Sequence, residues 1–507
     1  MCKPNVLADP SQKKRVIICG AGPGGILTAL YLLRRNDYSS SKGIKYHVTL
    51  VDQRENYGKL NADEIIAHRS WMIGLSTTGV ESICGIEGLW DEYLKDAVIP
   101  ASEFNLHVGK KQIPVHGKQS DDDDDSKRGV IDRNHVVWAL TKSAMTRYGD
   151  KKNAFTPMFE TKCLYVDGES NRLLVRGKDK RDKYLEYDVL IGADGIRSVV
   201  RNAFVQNDRY FEFDISDSFA TIKHLHIKRP EGVSNRAIHL LGDCLPGSIG
   251  AFGLPEKNGN MNLVVGSSNH NSRPEELNSD DPAAVADYFR KNWNCAELDD
   301  YDEVAKQWVS QGWSVTGQVH CNTYHSESMS ALLLGDAAHA TTPTTGMGMN
   351  TAFGDAAALN AMLDEHKDDW TVVLPTFSKE RIKIGRALTD LSFYLFSMDQ
   401  LQMILYVISF GIREKLHKFF PWITRSPQSL IGMGVPLDEV YNQANEIGVI
   451  QAIRSTNDRI RREYNEEKWG MVKPKKRQYL PFSYLSISAA ALAVGIAFAY
   501  KKGVFSY

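Results

Sequence analysis

The apolar run RVIIC at 15–19 passes directly into Gly20-Ala-Gly-Pro-Gly-Gly25, and an apolar-periodic stretch then continues to Leu33. Three glycines at this spacing between a strand and a helix have separate physical uses. Gly20 permits the tight turn, Gly22 lets backbone approach a pyrophosphate, and Gly25 lets the helix pack closely on the strand. The helix start adds free N–H groups and the positive end of its dipole, which suits phosphate. A second run at 47–51, HVTLV, ends at Asp52, an acceptor placed for a ribose hydroxyl pair. These residues predict a βαβ start, with Gly20, Gly22, Gly25 and Asp52 as cofactor-binding positions.

Composition narrows the choices around that turn. The 507 residues suffice for one large α/β enzyme or about three domains of roughly 150 residues. Lysine and arginine number 61 against 62 acidic residues, a net charge of -1, so no overall basic field exists to hold nucleic acid. The seven cysteines are dispersed and form no CxxC pair, which argues against a disulfide framework, a metal site, or the redox pair of a disulfide reductase.

Farther along, a strand-like run at 187–191 enters Gly192-Ala-Asp-Gly195, and 331–334 enters Gly335-Asp336 before an Ala-rich helix at 349–366. Between them, 209–321 alternates short strands (FATIKHLHI, NRAIHLL, SIGAFGL, MNLVVGS) with one helical stretch at 282–293, which predicts a mainly antiparallel sheet. The aspartate run at 121–125 suits a solvated loop, and the sequence from 370 reads as helical, including 381–413 and 438–465. The expected fold class is α/β: a Rossmann-like cofactor domain (12–205 and 325–365) interleaved with a β-sheet substrate domain (206–324), then a helical region (366–470).

The segments VLIGADGIRS at 189–198 and LGDAAHA at 334–340 resemble the DG and GD motifs of class A flavoprotein aromatic hydroxylases, the para-hydroxybenzoate hydroxylase superfamily. Three motifs in family order over more than 300 residues carry this resemblance. It implies FAD as cofactor and NADPH as co-substrate, bound in a groove because only one GxGxxG is present. It assigns Asp336 to the ribityl chain and Pro343, Gly346, Gly348, Met349 and Asn350 to the isoalloxazine border. Arg133 occupies the position of an arginine that reaches FAD, and Asp194 is associated with FAD and NADPH. The expected chemistry is carried by the cofactor, through a flavin hydroperoxide that hydroxylates an aromatic ring with O2, and no protein side chain is expected to be catalytic.

Within that superfamily the chain is most similar to the kynurenine 3-monooxygenases, through RSWMIGLS at 69–76, GMGMN at 346–350, LPTFSKER at 374–381 and DLSFY at 390–394. The resemblance places Arg69, Asn350 and Tyr394 at the substrate or flavin, and implies hydroxylation of L-kynurenine to 3-hydroxykynurenine. A guanidinium at Arg69 would suit a bidentate grip on an α-carboxylate. Three departures stand out: Met347 replaces the family's glutamine, the arginine that follows LS is missing, and Ile83 and Cys84 occupy the region of a second pocket tyrosine. The alternative is a membrane-tethered flavin monooxygenase or epoxidase for a lipophilic terpenoid or polyketide.

Mean hydropathy is -0.33, an average that conceals the uncharged stretch at 479–500. As a helix it would be about 33 Å long, enough for a bilayer core of about 30 Å. Lys473, Lys475, Lys476 and Arg477 precede it and Lys501 and Lys502 follow, with Tyr479, Tyr484 and Tyr500 where interfacial aromatics belong. This predicts a C-terminal transmembrane tail anchor. Residues 1–14 are polar and lack the apolar core of a secretory signal, so the body is expected to face the cytosol. The flanking charges and the family resemblance favour the mitochondrial outer membrane over the endoplasmic reticulum.

Overall fold

The computed structural model describes residues 13–38, 45–61, 64–65, 68, 70–101, 103–108, 111–116, 129–242, 249–267, 274–293, 298–420, 422–423 and 425–472. Arg69, the aspartate run at 121–125 and the expected anchor at 479–500 lie outside the described residues. Among the described residues, no helix is long and apolar enough to cross a membrane. The chain divides into two compact units, Met1–Asn457 and Asp458–Tyr507, and the sheets and candidate site belong to the first.

A six-stranded sheet carries the cofactor motifs, in the order His325–Ser326, Ala331–Leu333, Val189–Gly192, Lys14–Cys19, Tyr46–Val51, Phe155–Met158. All neighbours are parallel except the edge pair His325–Ser326 with Ala331–Leu333. Val16, Ile17, Ile18 and Cys19 are all buried, as a strand covered on both faces requires, which explains an unbroken apolar run instead of alternation. Register places Cys19 beside both Val51 and Gly192, so the Gly20 turn, Asp52 and the Ala193-Asp194 turn leave the same end of three adjacent strands. Helices Pro23–Tyr38 and Gly348–Glu365 pack together beside this end.

The second sheet has seven strands, ordered Ser314–Cys321, Phe213–Lys228, Asn260–Ser267, Ile249–Pro255, Ala237–Gly242, Glu103–Val108, Lys111–His116. Its neighbours are antiparallel apart from Ala237–Gly242 with Glu103–Val108. The Glu103–His116 pair of strands enters this sheet from inside the cofactor segment. Strand alternation sorts the two faces. Met261, Leu263 and Val265 meet Val285, Phe289 and Trp308 of two covering helices, whereas Val264 and Phe252 turn toward Met72 and Val130. Burying a side chain such as Phe289 contributes about 1.5–3 kcal/mol.

One helical expectation needs correction, the single helical stretch at 282–293, and two regions expected to be helical divide into separate helices. A second covering helix, Tyr301–Ser310, follows Pro282–Asn292; Asp300 starts it by accepting from Asp302 N and Glu303 N, with two acids in its first turn. An Asp N-cap followed by acids in the first turn is the sequence signal that marks this start. The stretch 381–413 is two helices, Trp370–Tyr394 and Gln400–Phe419, the second capped by Asp399 accepting from Gln402 N at 2.8 Å. The stretch 438–465 is likewise interrupted, because Gly448 at φ 76° separates Leu437–Glu446 from Val449–Lys468.

Candidate active site

The glycine turn is held by exclusion. Gly20 lies at φ 101°, and a Cβ there would sit 2.2 Å from Ala193 O; at Gly25 it would sit 2.0 Å from Gly20 O. A Cβ on Gly22 would meet nothing within 4 Å. Backbone beside Gly22 is therefore open to a ligand at the N-terminus of the 16-residue helix Pro23–Tyr38.

Asp52 is buried and accepts from Ala21 N at 2.6 Å, which fixes the turn to the end of the second strand. Its carboxylate also takes Arg54 N at 2.7 Å and the Arg54 guanidinium at 3.0 Å through both Nε and Nη2. Burial alone would lower the Arg54 pKa, but this pairing with Asp52 raises it. Arg54 is a site residue that the sequence reading missed; its place two residues after the strand-end acid was the available signal.

Arg133 begins helix Arg133–Tyr148, and its guanidinium lies 4.8 Å from the Trp71 ring centroid. Its side chain has no hydrogen bond or ion pair among the described residues. Burial, and then the charge of Arg54, hold its pKa below the ordinary arginine value, while Asp336 acts in the opposite direction. Asp336 is exposed and likewise has no hydrogen-bond partner among the described residues. Trp71 stacks on His224 of the second sheet, with centroids 4.8 Å apart and planes 16° apart. Neither aromatic was anticipated, because only tertiary structure brings 71 to 224.

Asp194 is engaged locally: Oδ1 accepts from Ser198 Oγ at 2.5 Å and Oδ2 from Val199 N at 2.7 Å, at the start of helix Val199–Asn207. Burial raises its pKa, and these hydrogen bonds only partly offset that effect.

The GD segment forms the floor. Gly335 (φ 58°) precedes Asp336, and its N–H donates to Asp355 at 2.9 Å. Asp355 is buried and also accepts from His339 Nε2 at 2.7 Å and Arg381 Nε at 2.7 Å. Burial pushes this carboxyl up, but His339, Arg381 and the Gly335 N–H together hold it well below the usual carboxylate range. His339 is thereby occupied as a structural partner.

Pro343 starts a short turn ending at Gly346, which is left-handed at φ 67° with nothing within 4 Å of an added Cβ. Gly348 opens the next helix, and Met349 packs into the cofactor-sheet core. The Asn350 amide is buried: Oδ1 accepts from Ser76 N at 3.0 Å, and Nδ2 donates to Gly74 O at 3.0 Å and Gly346 O at 3.1 Å. It stitches strand Met72–Leu75 to the Gly346 turn instead of presenting its amide to a cavity. Thr344 and Thr345 bond Ser392 O and Oγ at 2.6 and 2.9 Å, which brings DLSFY to the same turn. Tyr394 is buried in an apolar cluster that includes Leu388, Leu391 and Met347.

Open backbone at Gly22 and Gly346, with a half-buried Arg133 guanidinium and an Asp336 carboxylate that have no polar side-chain partner among the described residues, fit a dinucleotide with a diphosphate and a polyol chain. A family model described as FAD binding domain matches residues 13–392. The chain belongs to the FAD-binding family of class A flavoprotein hydroxylases. It is similar to violacein synthase of Chromobacterium violaceum, 28% identical over 383 residues, covering 75% of this chain and 84% of that protein. Kynurenine 3-monooxygenase of Sus scrofa is 26% identical over 422 residues, covering 81% and 82%. The tetrameric form of 2-methyl-3-hydroxypyridine-5-carboxylic acid oxygenase shares the fold, with TM-score 0.56 at 17% identity over 76% of this chain and 91% of that one. As a family member, the chain is an FAD-dependent aromatic monooxygenase.

Proposed function

We propose that the chain hydroxylates an electron-rich aromatic amino acid at the expense of NADPH, with L-kynurenine as its substrate. The observation that carries this reading is the joining of the Gly346 turn to DLSFY through Thr344, Thr345 and Ser392, since these are two of the four segments that carry the resemblance to kynurenine 3-monooxygenases. Similarity at 26% identity to one such enzyme supports the same direction.

Bound FAD would supply the redox chemistry between NADPH and oxygen. Arg133 and Arg54 would hold its diphosphate and Asp336 its polyol, while the left-handed Gly346 lets backbone lie against a flat ring. Asn350 sets the distance between that turn and strand Met72–Leu75. Met347, Leu388, Leu391 and Tyr394 form an apolar wall that keeps water from the reacting centre. Arg69 would grip the substrate carboxylate. Residues 479–500 would anchor the enzyme, body to the cytosol, in the mitochondrial outer membrane.

The test is NADPH consumption by the purified chain, with product mass measured across kynurenine, other aromatic amino acids and lipophilic alkenes. Kynurenine-dependent consumption with a 16-mass-unit gain is expected, one added oxygen. Turnover of the alkenes alone would replace this reading with a lipophilic substrate, a reading that Met347 in the apolar wall favours. Fractionation of the tagged full chain tests the anchor; recovery in the soluble fraction overturns it.

A further inference from the structure

Tyr394 ends helix Trp370–Tyr394, and its ring meets one side chain remote in sequence and one adjacent to it. The Arg454 guanidinium lies 4.6 Å from its centroid, and Phe393 meets it edge-on with centroids 5.1 Å apart. Arg454 is itself fixed: Nη2 donates to Asp390 Oδ2 at 2.7 Å and to the Tyr441 hydroxyl at 3.1 Å. Asp390 sits one helical turn before Tyr394, so the acid that orients the arginine and the ring that receives it project from one helix face. The other Asp390 oxygen faces His320 Nε2 of the second sheet at 3.5 Å. Ser392, between them, is held by the threonines of the Gly346 turn.

We infer that Arg454 is a positioning residue for Tyr394, fixing that ring beside the Gly346 turn and thereby setting affinity for the aromatic substrate. This rests on Tyr394 lining the substrate side of the site, as proposed above. The arrangement lets a residue of helix Val449–Lys468, outside the matched family segment 13–392, shape the pocket. A cation on a ring face restrains it where apolar packing alone would leave rotation. Its contacts are Tyr394, Asp390 and Tyr441, so Arg454 would act on the site through the ring.

The experiment compares holoenzyme variants Arg454→Met, Arg454→Lys, Tyr394→Leu and Arg454→Met/Tyr394→Leu for kynurenine KM, kcat, flavin content and thermal unfolding. Arg454→Met is expected to raise KM about tenfold, equivalent to ~1.4 kcal/mol, with flavin content retained and kcat within about twofold. Arg454→Lys should restore part of that loss, and Arg454→Met should add nothing once Tyr394→Leu is present. Unchanged KM, additive effects in the double variant, or parallel loss of kcat and flavin would overturn the inference. If the wild type ignores kynurenine, the substrate reading fails separately. The same pair is then read in thermal unfolding, where non-additive shifts sustain the clamp and additive shifts overturn it.

Discussion

The glycine turn and the Gly335–Asn350 floor are both assigned to the cofactor in the proposed function, yet they are held in different ways. The turn is shaped by what is missing: Gly20 and Gly25 have no room for a Cβ. The floor is shaped by buried polar groups that converge from distant segments, His339, Asp355 and Arg381 beneath it and Asn350 at its end. The glycines themselves are written in six consecutive residues, although the atom that excludes a Cβ at Gly20 is Ala193 O at the end of a neighbouring strand. Polar satisfaction depends on partners that only the folded chain supplies.

Asp355→Ala should show the largest effect, because it leaves His339 and Arg381 without their shared buried carboxylate, a loss of about 3–5 kcal/mol. Chemical denaturation would measure it, and a cost below about 1 kcal/mol would mean that the floor packs without its ion pair. The same group predicts a pH dependence. Its folded pKa is depressed, so its stabilising contribution is complete above the unfolded carboxylate value of about 3.9 and is lost as pH falls toward the folded value. Asp355→Asn should flatten the acid side of the stability profile; an unchanged acid limb would assign that limb to other carboxylates.

Gly25→Ala should cost about 1–3 kcal/mol through crowding, and Gly20→Ala about 2–5 kcal/mol, since left-handed strain adds about 1–2 kcal/mol there. Gly22→Ala, with open space at its Cβ, should leave unfolding nearly unchanged while weakening FAD retention. Equal stability losses at all three positions would erase the distinction between turn geometry and ligand approach.

Asn350→Leu strands Ser76 N and Gly74 O, at about 1–3 kcal/mol for each group left unpaired. If stability holds and only substrate KM rises, Asn350 belongs to the pocket and not to the floor. Arg133→Met should alter apo-protein stability least of all, since among the described residues no carboxylate pairs with that guanidinium. Its FAD affinity should nevertheless fall about 10–100-fold, the worth of ~1.5–3 kcal/mol for hydrogen bonds to a charged group. Retained FAD after gel filtration would remove Arg133 from the cofactor site.

Much of the cofactor half was legible in the chain. Strand, glycines, helix and strand-end acid occur in order within 15–52, and their chemistry follows from backbone sterics and helix-end charge. Asp52 shows where legibility ended: its strand-end position could be read, but its engagement by Arg54 could not. Helix Tyr301–Ser310 went unread despite its capped start. Trp71 against His224 and Arg454 against Tyr394 could not be read at all, because separations of 153 and 60 residues carry no local pattern.

The sequence by itself determined a dinucleotide-binding turn, the parallel strands around it and the presence of one apolar segment near the C-terminus, while FAD in particular came from the family resemblance. These depend on constraints between near neighbours, which composition and spacing preserve. Tertiary structure alone decided that Asn350 serves as a stitch, that Asp194 accepts from the first N–H groups of a helix, that no acidic side chain pairs with Arg133 among the described residues, and that Arg454 rests on Tyr394. Each of those facts depends on which groups meet after the chain has closed on itself, where burial makes an unmatched charge or amide costly.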